Sequence, residues 1–502
     1  MKKKNFALLC LILSFILLFS SCGEVKKQES KPVSEYKIGV SSLTGNFNPF
    51  YAENEGDRAV IDKLFGKIRS LDSKNRPQNN FGSISYEYTS DDRVKYTVTI
   101  DKNIRFFSGN FATIDDVIFA YYLLADSSYD GVYSSWHNND IEGLEEYYLN
   151  EDVTQISGIN KINDYACTVL FNSADINAAQ ALNVYIVEKS FYAADYTKGN
   201  ADSVKQISSS ACGCGEYFIE KCDENSVCLK INPYYSKQKP ENEAITFVKV
   251  NEEEILNSLL NKQIDTASVY ASKEILSNLS SNSLSVKARN APFYCSVFYN
   301  SRLNLKLRQA LFSLCGDSSS LNKAFGNGYT RLYCPLSIKN EEYPGDITAT
   351  YYKAEDFENE FSYLSKSAGE LNAGILKSYC EIEKQVFNDY IQALGEKGFS
   401  VNLKEYGSLN ELSQAAKNDE LDFWFSRVED NGTADKYDYY HSEGLNNLTG
   451  INDTDLDEAV FKLHSAIAFV DINALTREVI IKALDLAIEC PLYQQQILDI
   501  NR

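Results

Sequence analysis

The alternation of helical and strand patterns in the second half of the chain is the feature that most restricts its fold. Apolar residues within 382–394 repeat at helical spacing, Gly398 interrupts the pattern, and residues 399–403 favour a strand. A second helical pattern at 412–417 precedes an apolar strand at 421–425. Because strands separated by helices tend to pair in parallel, this order predicts an α/β fold with a sheet built from crossover units.

The first half of the chain predicts a similar mixture of elements. A strand is expected at 36–40 and a hairpin at 83–89 and 94–100, while Thr113 is positioned to cap a helix. One hydrophobic core rarely grows beyond ~300 residues, so a chain of 502 residues is expected to form two or more domains. With 44% hydrophobic and 24% charged residues, disordered, collagen-like and coiled-coil classes are excluded.

The N-terminus has the pattern of an export signal. Three lysines precede an apolar run at 6–19, and two serines then lead to Cys22. The apolar run is too short to span ~30 Å of hydrocarbon comfortably as a helix. Residues 18–22 resemble a bacterial lipobox, which implies cleavage before Cys22 and a lipid on its thiol; a plain signal peptide with an incidental cysteine is the alternative. The polar stretch that follows predicts a tether.

Charge excludes one class of partner. The formal net charge is −21, and loss of the three signal lysines makes it −24. Such a surface repels phosphate backbones and anionic headgroups, so no nucleic-acid partner is expected.

Cysteine and histidine positions do not predict a metal site. Ten cysteines follow Cys22, mostly single within apolar stretches, and we expect free buried thiols. Cys222 and Cys228 flank a hairpin turn, so a disulfide between them stays open. The three histidines are scattered, and no phosphate loop, dinucleotide fingerprint or nucleophile elbow is present. We therefore expect no cofactor and no catalytic residue, although a carboxylate pair of a hydrolase remains an alternative.

The strongest motif lies at 101–122, where a charged turn, Phe106 and Gly109 precede the Thr113 cap and its helix. Together with Gly213–Tyr217, Asn232–Tyr235 and 397–401, it resembles the extracytoplasmic solute-binding proteins of family 5, the oligopeptide, dipeptide and nickel receptors of ABC importers. The resemblance implies a two-lobed clamp of the periplasmic-binding-protein type (type II, cluster C) with an extra subdomain inserted in the first lobe.

The resemblance also implies a division of the chain. A signal peptide (1–21) and a tether (22–35) precede the first lobe (36–50 and 186–288), which contains the inserted subdomain (51–185). The second lobe follows (289–490), and a return to the first lobe (491–502) is shorter than in relatives.

Four residues are implied as ligand contacts. Asp430 matches the aspartate that pairs with the α-ammonium of a peptide, and Arg427 stands where the family usually has Trp. Asn46 and Phe47 belong to an opening loop that faces the cleft in relatives. From the residues alone, Asp430 could equally lie in a solvated acidic loop, and the opening loop could be only a turn.

The implied function is that of a lipid-anchored extracytoplasmic substrate-binding subunit of an ABC importer. It would act as a monomer that captures peptides by lobe closure, delivers them to the permease subunits and contacts the bilayer through the Cys22 lipid. The alternatives are a surface lipoprotein hydrolase and a peptide-signal receptor of the same fold that does not support uptake.

Overall fold

The computed structural model describes residues 35–72, 76–91, 93–280, 282–315, 318–430, 432–467 and 472–502. Cys22, the signal and nearly all of the tether lie outside the described residues. In the described part of the chain no helix is both long and apolar enough to cross a membrane.

The strands are, in chain order, β1 (Tyr36–Val40), β2 (Gly66–Lys67), β3 (Arg69–Leu71), β4 (Pro77–Asn79), β5 (Gly82–Tyr88), β6 (Val94–Ile100), β7 (Ile159–Asn163), β8 (Ala166–Phe171), β9 (Tyr185–Ile186), β10 (Tyr217–Cys222), β11 (Ser226–Ile231), β12 (Ala244–Lys249), β13 (Thr266–Tyr270), β14 (Ser285–Asn290), β15 (Phe293–Tyr299), β16 (Tyr329–Arg331), β17 (Glu370–Leu376), β18 (Ser400–Tyr406), β19 (Phe423–Glu429) and β20 (Glu489–Asn501).

The α-helices are α1 (Glu55–Leu64), α2 (Ile114–Leu124), α3 (Leu144–Leu149), α4 (Ala178–Ala181), α5 (Lys189–Tyr192), α6 (Asp202–Lys205), α7 (Ile255–Leu260), α8 (Lys273–Ser280), α9 (Leu305–Ser313), α10 (Ser318–Phe325), α11 (Phe361–Ala368), α12 (Glu381–Glu396), α13 (Leu409–Lys417), α14 (Tyr437–Tyr440), α15 (Thr454–His464) and α16 (Ile472–Asp485). We use "first lobe" for the described residues before β15 and "second lobe" for those from β15 to the start of β20.

One mixed sheet runs through both lobes in the order β10-β11-β12-β1-β13-β20-β15-β19-β17-β18, and β14 and β16 also pair with β20. β17 lies parallel to β18 and β19, so the predicted crossover units are confirmed. The sheet is not wholly parallel, because β15 runs antiparallel to both of its neighbours. The long strand β20 joins the lobes, since Cys490 pairs with Val297 of β15 and Asn501 with Thr266 of β13.

A separate four-stranded sheet, β5-β6-β8-β7, belongs to the first lobe. β6 buries every second residue, as its alternating sequence requires. The predicted hairpin is confirmed, and so is the helix after Thr113, whose backbone N–H donates to the Asp116 carboxylate at 2.7 Å.

The second-lobe core packs α12 against β19. The Phe387 ring lies 5.9 Å from that of Phe423 and 5.7 Å from that of Phe425, centroid to centroid. The predicted strand at 421–425 is displaced in the structure, because β19 continues to Glu429. β19 pairs with β15 along its full length, and this pairing extends β19 through the polar residues Ser426 and Arg427. The local sequence pattern alone does not assign these two residues to a strand.

All ten described cysteines are free, and most are buried, which confirms that prediction. Cys228 stands opposite Lys221, and Cys222 stands opposite Val227, so the two hairpin cysteines are not direct cross-strand partners.

Candidate ligand-binding site

Asp430 lies just beyond β19, at the junction of the two lobes. Its backbone N–H donates to the carbonyl of Pro292 at 2.8 Å, and Pro292 belongs to the short link between β14 of the first lobe and β15 of the second. The carboxyl end of a strand in a crossover sheet is a common place for ligand contacts. The register of β19 on β15 therefore fixes Asp430 at the junction of the two lobes.

The Asp430 carboxylate is only 5% exposed and is held by side chains of its own lobe. Its Oδ2 accepts from the Ser337 hydroxyl at 2.8 Å and lies 3.8 Å from Lys339 Nζ, while Oδ1 accepts from the Gly432 N–H at 3.0 Å. Gln494 of β20 donates to Ser337 at 3.0 Å and to the Ala291 carbonyl at 2.8 Å. The carboxylate is thus tied to both segments that connect the lobes and is not part of a solvated acidic loop.

A buried lysine lies close to Asp430. Lys436 Nζ donates to the Tyr294 hydroxyl at 2.7 Å, and its ammonium lies 5.1 Å from the centre of the Tyr294 ring. Burial lowers the pKa of Lys436, whereas the carboxylates of Glu489, Asp435 and Asp430 favour its charged form. A buried amine whose charged form is disfavoured by burial and favoured by three carboxylates therefore belongs to the second lobe near Asp430.

Arg427 is already paired inside the second lobe. Its Nε and Nη2 donate to the two carboxylate oxygens of Glu383 at 2.6 and 2.7 Å, and its guanidinium lies 4.5 Å from the Phe293 ring and 5.1 Å from the Tyr379 ring. Burial opposes the charge, but the fully buried Glu383 outweighs it and raises the pKa of Arg427. Arg427 is partly exposed, so a role as a ligand contact stays a prediction.

The opening loop is held by bonds within the first lobe. Asn46 donates to the Tyr51 carbonyl at 3.1 Å and accepts from the Asn48 N–H at 3.2 Å, as in a turn. Phe47 has no exposed surface, and its N–H donates to the Ser208 carbonyl at 2.6 Å. The Phe47 ring belongs to the first-lobe core and has no surface to offer a ligand, and neither residue has a hydrogen bond to Asp430 or Arg427 among the described contacts.

A second group of residues joins the lobes directly; we call Asp175, Asn177, Thr433, Asp435 and His464 the cross-lobe cluster. Asn177 donates to Asp435 Oδ2 at 2.6 Å and accepts from the Thr433 hydroxyl at 2.8 Å. His464 Nδ1 lies 3.0 Å from Asp435 Oδ2 and 3.8 Å from Asp175 Oδ1. The backbone N–H of Ile176 also donates to the His464 carbonyl at 2.8 Å. These contacts hold the lobes together beside the candidate site.

Burial and hydrogen bonding have opposite effects on the pKa values of the charged residues in the cross-lobe cluster. Burial opposes the imidazolium, but the hydrogen bond with Asp435 and the charge of Asp175 raise the pKa of His464. Burial also opposes the Asp435 carboxylate, yet the bond with His464 lowers the pKa of Asp435. Burial raises the pKa of Asp175.

The same three residues, Asp175, Asp435 and His464, have the spacing of a metal site, because one ligand atom from each lies within 4.8 Å of the others. The direct His464–Asp435 bond accounts for the arrangement without an ion.

Several of these residues carry no signal that sequence reasoning recognises. Glu383 lies three residues after Cys380 and accepts a hydrogen bond from the Cys380 backbone N–H at 3.0 Å. From the sequence, Glu383 is predicted only to cap the start of α12. His464 stands in an amphipathic helix, which predicts only packing or exposure. Its contact with Asp175 depends on elements from both lobes.

Comparison with known proteins now identifies the family. The family model described as bacterial extracellular solute-binding proteins, family 5 (middle), matches residues 83–448, which is more than half of the chain. The chain belongs to this family. Its members are solute-binding proteins, so the predicted type II binding-protein fold with two lobes is confirmed, and a role in binding rather than catalysis agrees with the family.

Individual relatives are distant in sequence. The oligopeptide-binding protein OppA of Bacillus subtilis strain 168 is 23% identical over 178 residues, which cover 34% of this chain and 32% of that protein; the match thus spans about a third of the relative's length. Lactococcal OppA, solved closed with an endogenous peptide, has a TM-score of 0.75 at 15% identity over 93% of this chain and 96% of that one.

The fold does not select one ligand. NikZ from Campylobacter jejuni, solved with Ni(L-His), matches with a TM-score of 0.69 at 16% identity over 94% of each chain. At such identities these structures show the shared fold alone. The ligand of this protein has to be inferred from its own site.

Proposed function

We propose that the protein is a lipid-anchored, extracytoplasmic receptor that captures peptides between its lobes and delivers them to an ABC permease, without chemistry of its own. The observation that carries the proposal is the placement of Asp430: a nearly buried carboxylate, fixed at the lobe junction and tied to both connecting segments. A ligand ammonium buried between lobes needs such a partner, because an unpaired buried charge is strongly unfavourable.

The present partners of Asp430 suggest how the exchange occurs. Lys339 lies 3.8 Å away, which is longer than a direct charge-assisted hydrogen bond. The α-ammonium of a peptide would take the place of this loosely held cation, while Ser337 and the Gly432 N–H keep the carboxylate oriented. The peptide backbone would be bound by strand edges, and its side chains by wet pockets with little sequence selectivity.

Identification of the natural ligand tests the proposal most directly. Mass spectrometry of the protein purified under native conditions, in a form that starts at Gly23, is expected to release a mixture of peptides with free N-termini. A defined non-peptide ligand, such as a metal chelate, would contradict the peptide assignment. Incubation with peptides and glycans should leave every ligand intact, and cleaved products would support the hydrolase alternative instead.

The anchor is tested separately in cells. Labelled palmitate is expected to appear in the protein, and Cys22→Ala should abolish both the label and cleavage at this position. Cys10→Ala, which alters the only other cysteine of the N-terminal segment, is the matched control and should keep the label. If Cys22→Ala remained membrane-bound after cleavage elsewhere, lipidation at Cys22 would be wrong.

A further inference from the structure

An exposed group of aromatic rings surrounds the signature loop of the first lobe; we call Phe107, Phe111, Phe218 and Tyr234 the aromatic edge. Phe107 and Phe218 stack with centroids 4.0 Å apart and planes within 10°. Phe107 is 36% exposed and Phe111 51% exposed, and the Arg105 guanidinium covers one face of the Phe111 ring at 3.9 Å. Two large apolar rings thus face solvent within five residues of chain.

The loop that carries these rings is firmly held. The Phe107 N–H donates to the Gly213 carbonyl at 2.9 Å, and the Phe106 N–H donates to the Asn110 carbonyl at 3.0 Å. Gly109 closes the turn with φ of +92°, a conformation that favours glycine. The backbone of the loop is therefore fixed, while Phe218 and Arg105 contact the rings of Phe107 and Phe111.

Concave surface flanks the ring stack on both sides. A cavity of about 430 Å³ is lined mainly by apolar atoms, and Phe107, Phe191 and Ala211 are among its lining residues. Beside Phe218, a second cavity of about 660 Å³ is bordered by Lys239, by Glu243 and by Lys230, which is paired with Glu220. This combination of exposed rings, one apolar cavity and lysine side chains suits a boundary between apolar and polar phases.

The aromatic edge lies at the end of the sheet where the chain enters the fold. Ile219, next to Phe218, pairs with Leu229, which pairs with Ile245, which pairs with Tyr36. Three strand spacings of ~4.8 Å place this row within about 15 Å of Tyr36. Residues 22–35 span at most ~50 Å even when fully extended. A lipid on Cys22 therefore leaves this edge of the molecule within reach of the bilayer.

We propose that the aromatic edge is a second membrane contact, which inserts its rings into the interfacial region of the bilayer beside the Cys22 lipid. This inference rests on the lipid anchor of the proposed function. The lipid holds the protein at the bilayer, and burial of the exposed rings would add a second, independent contribution to membrane binding. Because the protein is strongly acidic, the contact is with zwitterionic headgroups and acyl chains and does not depend on anionic lipid.

A tryptophan placed in the edge measures insertion. We would compare Phe107→Trp with Tyr363→Trp, which lies on exposed α11 of the second lobe, in vesicles of brominated phosphatidylcholine; the natural Trp136 and Trp424 are buried. Stronger quenching of the Phe107→Trp variant is expected, both in the lipidated protein and, at higher lipid concentration, in a form starting at Gly23. Equal quenching of the two variants in both forms would overturn the proposal.

This design separates the edge from the anchor. If Cys22 carries no lipid, the two forms will need the same lipid concentration, and unequal quenching of the two tryptophans will still report insertion of the edge.

Removal of the rings provides an independent test. Phe107→Ser with Phe111→Ser is expected to weaken flotation of the Gly23 form with phosphatidylcholine vesicles at least about tenfold, because much of the exposed area of two rings is no longer buried. Phe461→Ser, which removes an exposed ring of the second lobe, is the matched control and should have no effect. Unchanged flotation of the double variant, with native thermal stability, would exclude the aromatic edge as the contact.

Discussion

Asp430 and Asp435 lie five residues apart on the loop after β19, yet their surroundings differ in kind. The side-chain partners of Asp430, Ser337 and Lys339, come from the second lobe alone. Asp435 is bound by Asn177 of the first lobe and His464 of the second. A carboxylate held within one lobe keeps its place when the clamp opens, whereas one shared between lobes must lose a partner. We therefore expect Asp430 to serve the ligand and Asp435 to serve closure.

The largest effect is expected for Asp430→Asn. Loss of one partner of a buried charge pair typically costs ~2 to 5 kcal/mol, or roughly thirtyfold to several thousandfold in affinity. Calorimetry should show this loss for peptides with a free N-terminus, while the empty protein melts almost unchanged. N-acetylated peptides should already bind poorly to the natural protein. Equal binding of free and acetylated peptides would remove Asp430 from the site.

Glu383→Gln should separate the stability of the second lobe from ligand binding. Glu383 is fully buried and bonds Arg427 through both oxygens, so the variant leaves a guanidinium with a weakened partner. Because Arg427 is partly exposed and can recruit water, we expect a loss of ~2 to 3 kcal/mol in the free energy of unfolding. Denaturant titration measures the loss. A large fall in affinity without a fall in stability would instead make Arg427 a ligand contact.

Asn177→Ala tests closure through the cross-lobe cluster. The variant removes two hydrogen bonds between the lobes, and we expect affinity to fall about five- to thirtyfold because hydrogen bonds with a charged partner contribute ~1 to 2 kcal/mol. Small-angle scattering should show a more open empty protein. Asn172→Ala, in the same segment but bonded to Asp140 within the first lobe, is the matched control. An equal response of both variants would assign the effect to the segment and not to closure.

The smallest effect concerns pH. Closure raises the pKa of His464. The contribution of His464 to the free energy of closure is therefore complete below the ordinary histidine pKa of ~6.5, and it disappears as pH rises through the higher pKa of the closed state. The pKa of Asp435 is lowered, so its contribution is complete above ~4 and is lost as pH falls through the lower closed-state pKa. The ion pair should therefore favour closure most between about pH 4 and 6.5.

The groups that face His464 set the size of this effect. Asp175 and Asp438 also favour the imidazolium, although burial raises the pKa of both, and the Tyr437 ring lies 4.6 Å from the His464 ring. We expect affinity to fall about fivefold between pH 6 and pH 8.5, in line with ~1 kcal/mol for a partly exposed pair. His464→Ala should flatten the dependence of affinity on pH. His137 stacks on Tyr148 in the first lobe, so His137→Ala should preserve this dependence. A profile that survives in the His464 variant would assign the pH dependence elsewhere.

Local patterns were sufficient for much of the architecture. The hairpin of β5 and β6, the capped helix α2 and the crossover units around α12 and α13 follow from periodicity and capping residues, because these signals act between neighbours in sequence. The order of weak motifs was sufficient for the family. The position of Asp430 directly beyond β19 does not follow from local pattern, because the predicted strand ends at 425 whereas β19 ends at Glu429.

Tertiary structure alone decided what surrounds these residues. β19 continues through Ser426 and Arg427 because β15 lies beside it, and Phe47 is enclosed by the first-lobe core although its loop has the sequence of a turn. The pairs Arg427–Glu383 and His464–Asp175 join residues that are far apart in the chain, and the second pair exists only while the lobes are together. The sequence by itself determined the family and many of the helices and strands. Which charges neutralise one another was decided by packing, because electrostatic partners depend on distance in space and leave no periodic signal in sequence.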